Sequence, residues 1–135
     1  MSTPTAPPPV ELAWPLTARS VPRARHALAE LLAEWELSSL TDSAGLVLSE
    51  LMTNAVNARV VGRECRTVFR RLPTGVHIEV HDPSPLLPVL REPRPLAESG
   101  RGLPLVALLT DGHWGTTPRD GIGKLVWAEV TEDDG

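Results

Sequence analysis

The chain is poor in cysteine, in lysine and in long apolar runs, and each shortage excludes something. Cys65 is the only cysteine among 135 residues, so no internal disulfide and no cysteine-based zinc site can form. No apolar run approaches the roughly 18 residues of a membrane span, and no signal-peptide pattern opens the sequence. The expectation is therefore a cytoplasmic protein without membrane contact. Basic charge is also scarce: thirteen Lys and Arg stand against seventeen Asp and Glu, a net charge of −4. That balance disfavours direct binding of nucleic acid or an anionic membrane through bulk charge. Lys124 is the only lysine, and internal repeats are absent. What remains is the composition of an ordinary globular protein, 41% hydrophobic and 22% charged. The length fits one domain able to bury roughly two-thirds of its unfolded surface.

Residues 1–9 are rich in Pro, Ser and Thr and read as a disordered tail, with the domain over 10–131 and a short tail at 132–135. Residues 10–16 alternate weakly, as an edge strand ending near Pro15. Ser20 reads as an N-cap and Pro22 as a first-turn residue. Val21, Ala24, Leu28, Leu31 and Trp35 then recur every three or four positions, which predicts an amphipathic helix. Thr41 and Asp42 open a second helix to about Arg59, with the acidic residue in its first turn. Strands follow over 64–72 and 76–82, joined by a Pro73-Thr74-Gly75 turn. Five prolines exclude regular structure over 83–99, a loop longer than compact domains usually carry without function or disorder. A short helix over 103–110 and a hairpin pairing 113–117 with 123–130 complete the chain. This order predicts an α+β two-layer sandwich with helices on one sheet face.

Three places could carry chemistry. In the second helix Glu50, Asn54 and Asn57 share an arc of roughly 60°, with Ala44, Leu48, Leu51, Met52 and Ala55 on the opposite side. The stripe is either a solvated face or the lining of a cleft, where a carboxylate and an amide one turn apart can orient a nucleophile and hold magnesium. On the strand over 76–82, Val76, Ile78 and Val80 face one side and His77, Glu79 and His81 the other. Asp82 then exits on the apolar side, either capping a turn or accepting a ligand N–H. His77 and His81 read as surface residues, and His26 and His113 have no evident partner. Gly100-Arg101-Gly102 precedes a helix, whose N-terminal amides can converge on an anion.

In this order the three places resemble the bacterial anti-sigma-factor serine kinases, within the histidine-kinase-like (Bergerat-fold) ATPases. Glu50-Leu51-Met52-Thr53-Asn54-Ala55 is similar to that family's N box. His81-Asp82-Pro83-Ser84-Pro85 is similar to its first nucleotide box, and Gly100-Arg101-Gly102-Leu103 to its second glycine box. Gly123-Lys124-Leu125-Val126-Trp127-Ala128-Glu129 resembles its last strand. The resemblance implies a mixed sheet with helices on one face and the nucleotide between the layers. It implies ATP and Mg²⁺ as cofactors, with Asn54 on the metal and Glu50 orienting or deprotonating the attacking hydroxyl. Asp82 would accept the adenine amino group. Gly100, Arg101, Gly102 and Leu103 would face the nucleotide, the first three over its phosphates, with 83–99 as a lid. The implied partners are an antagonist protein, phosphorylated on serine or threonine, and a sequestered sigma factor, with room for a homodimer. The sequence departs from the family at Pro83–Leu86, where two glycines are replaced, at Ala58 for a histidine, and at Leu125 for a threonine near the base pocket. A nucleotide-binding module that regulates by contact alone is the alternative.

Overall fold

The structure, a computed structural model, describes residues 7–57, 64–82, 102–118 and 124–132. The expected lid over 83–99, Gly100, Arg101 and Ala58 lie outside the described residues. The first strand, β1 (Val10–Pro15), alternates as its sequence requires, with Val10, Leu12 and Trp14 turned inward and Glu11, Ala13 and Pro15 exposed. Helix α1 (Ser20–Glu34) follows, and its entry differs from the sequence expectation. Arg19 occupies the cap position without a side-chain bond. Ser20 is the first helical residue, and its buried hydroxyl donates to the Pro15 carbonyl at 2.7 Å. An acceptor at the end of β1 thus replaces the local cap and pins helix to strand. Ala24, Leu28 and Leu32 are fully buried along one stripe of α1.

A 3₁₀ turn (Ser38–Leu40) leads into α2 (Thr41–Asn57), where Thr41 Oγ1 donates to the Ser38 carbonyl at 2.9 Å. The hairpin β2 (Glu64–Leu72) and β3 (Gly75–Asp82) comes next, then α3 (Gly102–Leu109) and the hairpin β4 (Trp114–Pro118) and β5 (Lys124–Thr131). The sheet order is β1-β2-β3-β5-β4. The helices cover one face. Their Leu28, Leu32, Leu48, Leu51 and Met52 form one core with Phe69, Val76, Ile78, Val80, Ala128 and Val130 of the strands. Each of these side chains but the small Ala128 contributes about 1.5–3 kcal/mol relative to exposure.

The two-layer α+β architecture is the expected one, but the mixed sheet implied by the resemblance is corrected. All four described strand pairings are antiparallel. The reason is topological. β3 and β4 run in the same direction, yet β5 inserts between them and pairs with both, so the parallel strands never touch. Among the described residues no helix is long and apolar enough to cross a membrane.

Candidate nucleotide site

Helix α2 lies centrally in the helical layer, packed on β3 and β5 beneath it and on α1 and α3 beside it. That placement buries more of α2 than one apolar stripe: Ala44, Val47, Leu48, Leu51, Met52 and Ala55 are all 2% exposed or less. Glu50 and Asn54 sit one turn apart and half-buried. They border this core at Val47 instead of lying opposite it. A solvated face would leave them as open as Asp42 or Thr53, which are exposed. Asn57 closes the described helix, and its side chain lies outside the described residues.

The end of β3 brings the second candidate. Strand alternation turns Asp82 to the helix side together with Val76, Ile78 and Val80, and Asp82 is 1% exposed. Buried carboxylates need hydrogen-bond or charge partners, and Asp82 takes part in such interactions. Its cross-strand partner on β5 is Lys124. Leu125 pairs with His81 and therefore faces the other side of the sheet. The expected consequence of Leu125, a hydroxyl missing from the base pocket, is corrected on that ground.

The sequence reading missed Cys65. This thiol is buried on the same face of β2 as Thr67 and Phe69. Burial first, and then the negative charge of Asp82, push the Cys65 thiol up to about 11. It is therefore a neutral, unreactive thiol lying within electrostatic reach of the carboxylate. Thr67, beside it, accepts a 2.9 Å hydrogen bond from Trp14 Nε1, which ties edge strand β1 to the floor of this layer. Only the alternation of β2 could have hinted at this neighbourhood, and alternation does not name the strand alongside.

Gly102 and Leu103 open α3, which packs against α2; their side chains, like all of Gly100 and Arg101, lie outside the described residues. Val106, midway along α3, is fully buried, and Thr110 Oγ1, just past the helix, donates to its carbonyl at 2.7 Å. Helix α2 thus packs both on β3, the strand that ends in Asp82, and on α3, the helix that Gly102 and Leu103 open. Carboxylate and amide oxygens, half-buried on α2, are the hard donors that magnesium takes.

A profile of the histidine kinase-like ATPase domain matches residues 14–128. The chain belongs to that family. The match spans α2, the β2–β3 hairpin with Asp82, β4 and β5 as far as Ala128, so the ATPase-domain reading covers the fold and not one motif. No curated protein matches the chain.

Proposed function

We propose that this ATPase domain binds Mg²⁺–ATP and phosphorylates a serine or threonine of a small antagonist protein, while also sequestering a sigma factor. The observation that carries the reading is the half-buried Glu50–Asn54 pair on a helix packed against the strand that ends in Asp82. Asp82 would accept the adenine amino group, which selects adenine over guanine. Asn54 would hold Mg²⁺ through its amide oxygen, and the ion would neutralise phosphate charge. Glu50 would receive the proton of the attacking hydroxyl. Gly100, Arg101, Gly102 and Leu103 would meet the phosphate end at the N-terminus of α3. Phosphoryl transfer asks a protein for positioning and charge stabilisation more than for covalent chemistry, and these residue types supply both.

One sequence observation favours a second reading, a nucleotide-binding module that regulates by contact alone. Pro83-Ser84-Pro85-Leu86 follows Asp82 without a glycine, so close backbone approach to a ligand is restricted there. Labelled-phosphate transfer beside an ATP-binding titration separates the two. For a kinase, Glu50→Ala lowers transfer by about 10²–10⁴ with nucleotide affinity nearly unchanged. Asn54→Ala damages binding and transfer together, as chelation of Mg²⁺ does in the wild type. A wild type that binds Mg²⁺–ATP yet phosphorylates no residue of its cognate antagonist is a module.

A further inference from the structure

The helix-free face of the sheet carries a chain of titratable side chains that the nucleotide chemistry leaves unused. On this face His77 Nδ1 lies 2.7 Å from Glu129 Oε2, and His77 Nε2 lies 2.9 Å from Glu79 Oε2. The second oxygen of Glu79 is 3.0 Å from His81 Nε2. The sequence expectation placed both histidines on the surface. The face is as expected, but their side chains are only 16% and 23% exposed. Trp127 supplies part of that cover by stacking on His77, with ring centroids 5.8 Å apart and planes 17° from parallel. Gly115 makes room for the indole, because a Cβ there would come within 2.9 Å of it.

An ionised carboxylate can only accept hydrogen bonds. Both His77 contacts are therefore hydrogen bonds only when both ring nitrogens carry protons, or when a carboxyl group carries the extra proton itself. Glu79 is a poor carrier. Burial pushes its carboxyl up, but hydrogen bonds and charge from His81 and His77 outweigh burial and hold it below the ordinary range. The other groups facing this chain are few. On β2, Arg70 stands opposite His77, Val68 opposite Glu79 and Arg66 opposite His81. Arg66 is itself paired with Glu11 of β1 at 3.6 Å. On β5, Trp127 and Leu125 stand opposite Glu79 and His81; β4 adds Gly115 and Thr117 through its own register, and the exposed His113 just before it stands across from Glu129, whose N–H donates to the His113 carbonyl at 2.9 Å. Among the described residues no group of His, Cys, Asp and Glu is arranged to hold a metal ion.

We propose that His77 and Glu79 are positioning residues for Asp82: a proton held on His77 between Glu79 and Glu129 locks β3 to β5 and steadies the strand end. The inference rests on Asp82 being the acceptor for the nucleotide. The same ladder that pairs His77 with Glu129 ends at Asp82 and Lys124, and His81, tethered to Glu79, is the residue next to Asp82. Removing the ring proton breaks one hydrogen bond and leaves two carboxylates against an uncharged ring. Raising the pH therefore loosens the seam, and with it nucleotide binding.

The full chain tests this in three measurements. Nitrogen NMR of the His77 ring shows both nitrogens hydrogen-bonded to carboxylate oxygens, as the 2.7 and 2.9 Å contacts require; a ring bonded through one nitrogen alone at every pH overturns the proposal. Thermal melting from about pH 6 to about pH 8.5, across the range where imidazoles deprotonate, shows a falling Tm for wild type and a flatter profile for Glu129→Gln. His77→Gln gives the same flattening through the other partner, and parallel profiles for wild type and both variants overturn the proposal. ATP affinity over the same interval weakens severalfold in wild type and changes less in Glu129→Gln. Melting profiles that differ while ATP affinities move in parallel overturn the positioning of Asp82. A wild type that binds no ATP at any pH defeats the nucleotide reading and the link to Asp82, and is distinguished by a ring spectrum that still shows both nitrogens hydrogen-bonded.

Discussion

Replacing Asp82 with asparagine tests the base-pocket assignment and carries its own structural control. Asparagine keeps the shape of the side chain, so the buried position, 1% exposed, gains neither a cavity nor a clash. It removes the charge and replaces one of the two acceptor oxygens with a donor, so the adenine amino group meets at best a neutral amide oxygen. A hydrogen bond to a charged partner is worth about 1.5–3 kcal/mol. At about 1.4 kcal/mol per tenfold, Asp82→Asn should weaken ATP by roughly ten- to a hundredfold. GTP, with an oxygen in place of that amino group, should bind wild type less well than ATP and lose less in the variant. Calorimetric titration of both nucleotides gives the numbers. The control is Cys65, whose thiol stands at about 11 through burial and then through the charge of Asp82. Neutralising Asp82 removes the second cause and leaves the first, so the thiol should titrate lower but still above its ordinary range. Thiolate absorbance against pH reads this without nucleotide. An unmoved thiol would refute the placement of the carboxylate. A thiol that moves while ATP and GTP affinities do not would refute its role in base recognition.

Other perturbations act elsewhere. Gly75 closes the β2–β3 hairpin where a Cβ would meet the Val130 carbonyl oxygen and lie 2.7 Å from Thr131 Cα. Gly75→Ala must part β3 from β5, costing about 1–3 kcal/mol, and an unchanged Tm would contradict this packing. Ser20→Ala leaves the Pro15 carbonyl without its 2.7 Å hydroxyl donor and should cost about 1 kcal/mol in a denaturant titration; no loss would mean that water replaces the bond. The Glu79 carboxyl is held below its ordinary range. Its stabilising contribution is therefore complete above that range and disappears as the pH falls through its folded value. Glu79→Gln should flatten the acid side of the Tm–pH curve, and an acid limb as steep as that of wild type would exclude this linkage.

Much of the site was legible because strand and helix periods are local. The alternation over 76–82 set Asp82 on the apolar side before any neighbour was known, and the structure buries it there. The spacing of Glu50 and Asn54 put them on one stripe of α2. The degree of their burial was not legible, because it depends on how many neighbours surround the helix. A lone helix on a sheet would leave the stripe open, whereas α2 has α1 and α3 beside it and β3 and β5 beneath it. The Ser20 cap misled for a related reason: a local signal lost to an acceptor supplied by a different element.

The sequence by itself determined the elements, their inward faces, the two-layer class and the ordered boxes that place the chain among histidine kinase-like ATPase domains. Each rests on side chains a few positions apart, whose relative directions follow from 3.6 residues per helical turn and two per strand repeat. Tertiary structure alone decided which strands are neighbours. The insertion of β5 between β3 and β4 makes the sheet antiparallel, sets Lys124 instead of Leu125 across from Asp82, and brings Glu129 to His77 across 52 positions of sequence. A local period fixes the face on which a side chain stands but carries no information about the strand that will lie alongside it, and long-range pairing depends on the folding of the whole chain.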